Sequence, residues 1–312
     1  MDTRAYRKEF SALGLRMLAC AFVINGVQIA AQIFLVLCNP KWVSNINIVL
    51  AVTMMSQYVI GFPCAFLIMS DGGDKRKIEK RTMKLSHFLI AFMMGYALLM
   101  AGNLIGLGLT YGIGVLKGDP VSNSLQDMIG DTNMWITSIY TVLCAPILEE
   151  LLFRKVLCDR VVKYGQGAAV IMSGLMFGLF HGNFNQFFYA WFIGSFFAFI
   201  YVKTGNIKYT IGLHMMVNFI GSVAGGLFLQ YVDPEHLTPI SILITFFYVI
   251  IVYGIVIAGF VLLILNISKL KTNDRYMGID TTQRNILMLV NVGMILYYVF
   301  FFIMMMVQAL LV

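Results

Sequence analysis

Charged residues make up only 12% of this sequence, about half the roughly 25% of a soluble globular domain. A disordered chain or a basic nucleic-acid-binding arm needs far more charge, so both classes are excluded, and no nucleic-acid partner is expected. Cysteine is scarce as well. The five cysteines (Cys20, Cys38, Cys64, Cys144, Cys158) form no C-x-x-C pair and mostly lie inside apolar runs. That excludes a disulfide-built secreted scaffold and reads them as small packing residues. Familiar catalytic signatures are missing too. There is no H-E-x-x-H, no G-x-S-x-G, no P-loop or dinucleotide fingerprint, and no pair of intramembrane aspartates. Zincin-type and aspartyl-type membrane proteases and serine hydrolases are disfavoured accordingly.

What the chain has instead is apolar bulk. Hydrophobic residues fill 60% of its 312 positions and the mean hydropathy is +0.83. The apolar runs extend for about 20 residues or more without the strict alternation of a barrel strand. These features predict an all-α polytopic membrane protein of about eight to nine spans. The expected boundaries are 17–38, 46–69, 86–114, 134–153, 167–184, 186–202, 209–229, 239–267 and 286–311. Short polar breaks between them predict one integral domain over 1–312 with no appended soluble module. The run from Met17 is too long for a signal-peptide core and reads as an uncleaved first span.

The net charge of +7 follows from loop charge. With the N-terminus in the cytoplasm, Arg4, Arg7, Lys8 and Arg16 lie inside. So do the basic loop 71–85, then Lys155, Arg160 and Lys163, then Lys203 and Lys208, and finally Lys269, Lys271, Arg275 and Arg284. The outer loops keep Lys41 and Lys117 beside Asp119, Asp127, Asp131, Asp233 and Glu235. That asymmetry is the positive-inside pattern.

An ionisable side chain within a membrane span costs a few kcal/mol at least, about 2.5–3.5 on insertion scales, so such residues mark function by default. Here they cluster between 146 and 218. Glu149 and Glu150 are adjacent on a helix and point about 100° apart, so they cannot share one task. Glu150 and Arg154 lie four apart on one face, acid before base, and can neutralise each other. Glu149 then faces another sector with no local partner. Phe177 and His181 share a face of the next span, and His214 and Asn218 share a face of the seventh. Three helices thus offer a carboxylate, an imidazole and neutral donors, the groups that water activation needs. Asn25, Gln28, Gln32, Asn103 and Asn291 read as interhelical hydrogen bonds, His87 as an interfacial residue and His236 as part of an outer loop.

Glu149-Glu150…Arg154, Phe177…His181 and His214…Asn218, in this order, resemble the CAAX prenyl protease and bacteriocin-processing family, also called the ABI or type II CAAX endopeptidase-like family. The connecting stretch Tyr201–Ile207 also looks like the loop that precedes the family's third motif, although Tyr209 stands where a proline is often found. The resemblance covers roughly 135–225 as a catalytic core, and leaves 17–114 and 239–311 as flanking spans. It implies a glutamate-type intramembrane endopeptidase in which Glu149 is the general base and His181 holds the attacking water. His214 and Asn218 would stabilise the oxyanion, with Glu150 and Arg154 bracing the site. No cofactor is expected, although a zinc variant with Glu149, His181 and His214 as ligands stays open. The substrate would be a membrane-associated peptide or protein tail. A non-catalytic membrane partner or bacteriocin-immunity factor is the alternative, and a proton-coupled transporter ranks below both because no internal repeat is found. The expected setting is a bacterial plasma membrane, with the site open toward the cytoplasm. One tension concerns depth: a fourth span ending at 153 puts Glu149 near the inner boundary, whereas His181 lies deep in its own span. A fourth helix that continues through 154–164, or a tilted fifth span, would remove it.

Overall fold

The computed structural model describes residues 3–70, 75–123, 133–232, 236, 238–274 and 280–311. Asp127, Asp131, Asp233, Glu235 and Arg275, used in the loop-charge argument, lie outside the described residues. Ten helices follow in chain order: α1 (Thr3–Cys38), α2 (Ile46–Ser70), α3 (Leu85–Lys117), α4 (Met134–Tyr164), α5 (Gln166–Phe180), α6 (Phe184–Thr204), α7 (Ile207–Phe228), α8 (Pro239–Lys269), α9 (Thr281–Leu289) and α10 (Val292–Leu311). Eight of these are long and apolar enough to cross a membrane, and α5, at 15 residues, is shorter. The molecule is an all-helical integral membrane protein.

Several expected boundaries are corrected. The fourth helix does not stop at 153 but runs to Tyr164, because its charges are paired within the bundle. Lys155 meets Asp159 at 2.6 Å, and Arg160 donates to the carbonyls of Met69, Ser70 and Val156. That continuation removes the depth tension and places Glu149 roughly 20 Å from the end of α4 at about 1.5 Å per residue. The fifth helix ends at Phe180 rather than 184, and the first begins at Thr3 rather than 17. The last span starts at Val292 rather than 286. Asn291 breaks it from α9 by donating to the Leu287 and Met288 carbonyls and accepting from the Met294 amide. Asn291 is therefore a local cap, and Asn25 bonds to Ala21 of its own helix. Of that group, Gln28 (to Gln57, 2.7 Å) and Gln32 (to Thr53, 3.4 Å) do tie α1 to α2.

The basic segments gather at one end of the bundle. Lys163 and Tyr164 reach Glu9, Arg76 N–H bonds to the Asp159 carbonyl, Arg81 N–H to that of Thr204, and Arg284 to that of Tyr164. At this end Gly205 (φ +58°) closes α6 and Asn206 caps α7 through the Lys208 amide. At the opposite end the Asn133 amide bonds to Asn47, and Asn185 and Gln308 both donate to the Ser122 carbonyl. One large apolar cluster draws mainly on α1, α2, α4, α5, α6 and α10, and a second on α3, α6, α7 and α8. α8 is buried over only 17% of its most apolar window, as befits a helix facing lipid. Within the membrane the bundle is held by close packing and side-chain hydrogen bonds rather than by water exclusion.

Candidate active site

All three motifs converge on one ring. Phe177 belongs to the first apolar cluster and Phe197 to the second. The Arg154 guanidinium sits at that seam, 4.6 Å from the Phe177 centroid and 5.8 Å from that of Phe197. The Phe177 ring also meets His181 at 4.9 Å and His214 at 5.9 Å, both edge-on. Its seat exists because residue 194 on α6 is glycine: a Cβ there would stand 2.6 Å from Phe177 Cδ1.

α4 presents its acids between two wide π-helical turns, Ile139–Cys144 and Leu151–Cys158, which flank the α-helical stretch Ala145–Glu150. Such turns insert a residue into the helical register and often mark functional positions. Glu150 is fully buried with its Oε2 3.0 Å from Arg154 Nε. The pairing expected from the four-residue spacing is therefore formed. None of the three guanidinium nitrogens of Arg154 makes a hydrogen bond among the described residues, so the charge of Glu150 and the two aromatic faces hold this buried cation.

His214 stands between the two acids. Its Nδ1 is 3.1 Å from Glu150 Oε1 and its Nε2 is 3.8 Å from Glu149 Oε2. Because a carboxylate only accepts, Nδ1 carries a proton toward Glu150. Glu149, which sequence spacing left without a local partner, thus finds one from α7. The Glu149 side chain retains 20% exposure, whereas Glu150 has none.

His181 follows the last residue of α5. Its Nδ1 lies 2.9 Å from the Phe177 carbonyl, which fixes Nδ1 as donor and leaves Nε2 an acceptor. The chain can turn straight into α6 because Gly182 adopts φ +65°, in the left-handed region, and Asn183 then caps α6 through the Gln186 amide at 2.9 Å. Asn218, one turn beyond His214, points its amide at α4 and donates to the Thr141 carbonyl at 2.8 Å. Glu149, Glu150, Arg154, His181 and His214 therefore share one locus, and Asn218 joins it through the α4 backbone.

Three tyrosines that sequence reasoning missed lie within electrostatic reach of Glu149: Tyr58 on α2, Tyr140 on α4 and Tyr189 on α6. Tyr58 and Tyr140 stack at 5.5 Å, and Tyr189 lies 6.4 Å from the His181 ring. Aromatics in an apolar run carry no spacing signal. Among the described residues, no group of three His, Cys, Asp or Glu side chains is gathered closely enough to hold a metal ion. A separate cleft of about 310 Å³ between α2 and α4 is lined by Phe66, Ser70, Lys75, Leu151, Val156 and Arg160, none of them a motif position except through the helix they share.

Residues 131–220 match the family model described as type II CAAX prenyl endopeptidase Rce1-like, a segment that contains all three motifs. Over 109 residues, 35% of this chain, the sequence is 28% identical to YdiL of Bacillus subtilis (strain 168), a protein provisionally described as a membrane peptidase. The match covers 44% of that relative, so the chain spans less than half of its length. No solved structure matches the chain.

Proposed function

From an Rce1-like type II CAAX prenyl endopeptidase domain over 131–220, we propose that this protein is an intramembrane endopeptidase in which Glu149 activates water against a peptide bond. The supporting observation is that His181 and His214 both meet the Phe177 ring while Glu149, the more exposed of the two acids, lies 3.8 Å from His214. Water between Glu149 and His181 Nε2 donates one O–H to each, which aims its lone pair at a carbonyl carbon. Glu149 takes the proton as the C–O bond forms, and passes it to the amine nitrogen as the C–N bond breaks. His214, held by Glu150, offers Nε2–H to the carbonyl oxygen once its ring carries a second proton. Donors of that kind contribute about 3–4 kcal/mol to the barrier. Glu150 and Arg154 keep that imidazole in place.

The substrate is a membrane-associated peptide or protein tail, and the basic end of the bundle is the cytoplasmic end in a bacterial plasma membrane. The test is hydrolysis of a quenched-fluorescent peptide by the protein in liposomes, with a farnesylated and an unmodified version of one tail. Glu149→Gln is expected to lower kcat by about 10²–10⁴, the usual yield of general-base catalysis. Hydrolysis at wild-type rate by that variant overturns the reading. Hydrolysis is also expected to survive a chelator. Loss restored by zinc overturns the metal-free reading.

A further inference from the structure

The carbonyl of Thr141 has lost both amides that could serve it along α4. In the π-helical turn Ile139–Cys144, the Ala145 N–H goes to the Tyr140 carbonyl, five residues back. The next amide in that register belongs to residue 146, which is proline and has no hydrogen. A backbone acceptor left open inside a membrane protein costs several kcal/mol in hydrocarbon, about the price of a lost hydrogen bond, and must be covered by another group. Asn218 Nδ2 covers it at 2.8 Å. The same asparagine is anchored in turn, since Ser222 Oγ donates to its carbonyl at 2.6 Å and lies 2.9 Å from Thr141 Oγ. One turn earlier on α7, His214 meets Glu150 at 3.1 Å.

These two contacts register α7 against α4 at both ends of the segment that carries Glu149. We propose that Asn218 is a positioning residue: its amide seats the carbonyl that Pro146 orphans, and so fixes the turn of α4 that brings Glu149 to His214. One of its two Nδ2–H donors is spent on the helix backbone. This inference rests on the hydrolytic reading above, but its hydrogen bond does not.

A double-mutant cycle tests it on the full-length protein. Pro146→Ala restores an N–H to α4, so Asn218 should matter less in that background. Alone, Asn218→Ala is expected to lower kcat about 100-fold, the effect of a displacement near 1 Å at a reacting group, with little change in KM. In the Pro146→Ala background the same change should cost less than tenfold, and its loss of Tm in detergent should shrink in parallel. Equal costs in both backgrounds, for rate and Tm alike, overturn the proposal. If Pro146→Ala does not fold, the pH–rate profile of Asn218→Ala decides. A moved limb supports displacement of Glu149 from His214, whereas a uniform loss at every pH marks a direct oxyanion donor and overturns it. Glu149→Gln runs alongside, so that failure of the hydrolytic reading shows separately, and the Tm coupling stands without activity.

Discussion

Glu150 and Arg154 form a fully buried pair, and removal of Arg154 leaves the Glu150 carboxylate with the His214 imidazole as its remaining described partner. Breaking a buried pair typically costs about 3–5 kcal/mol, whereas replacing both members with apolar groups of similar volume is often neutral. Arg154→Met should therefore lower Tm far more than the double change Glu150→Leu/Arg154→Met, as differential scanning fluorimetry in detergent would show. The double variant should lose hydrolysis because His214 loses its anchor, and the single variant should slow it because Glu150 is no longer held by Arg154. The acids and imidazoles at this scale were legible in the sequence, since an ionisable group in an apolar run has few bland explanations. The tyrosines and Thr141 were not. A hydroxyl or a backbone carbonyl gains its role only when another helix arrives.

At the scale of elements, the apolar runs located eight long helices because lipid demands length and hydropathy together. Their ends were harder to place. α4 reads as ending at 153 because Arg154, Lys155, Asp159 and Arg160 look like solvated charge, whereas in the fold Arg154 pairs with Glu150, Lys155 with Asp159, and Arg160 with α2 carbonyls. The short α9 shows a different device. Asp280 caps it through the Thr282 and Gln283 amides, and those N–H donors hold the Asp280 carboxyl below the usual aspartate range. A depressed folded value means that the cap contributes fully above the unfolded value of about 4 and fades as pH falls through the folded one. The Tm difference between wild type and Asp280→Ala should thus be largest near neutrality and vanish in acid. A difference that grows in acid would contradict the cap. At Gly194, alanine would push the Phe177 ring out of its seat. A drop in kcat of about tenfold or more is expected there, within the range such displacements produce.

Across the whole molecule, the clustering of basic segments at one end predicts how the bundle sits in the bilayer. Cys38 is exposed at the opposite end, and Glu79 is exposed at the basic end. A membrane-impermeant thiol reagent should label Cys38 on intact cells, and Glu79→Cys in a Cys38→Ser background only after the cells are opened. The reverse pattern would invert the orientation. A further consequence attaches to the single phenyl ring at residue 177. It touches a guanidinium from α4, an imidazole at the end of α5 and another from α7. Breathing of any one of those helices is therefore geared to the other two. Such a ring has little room to rotate about its own axis, and its two edges should stay distinguishable on the NMR timescale for as long as these three groups remain assembled.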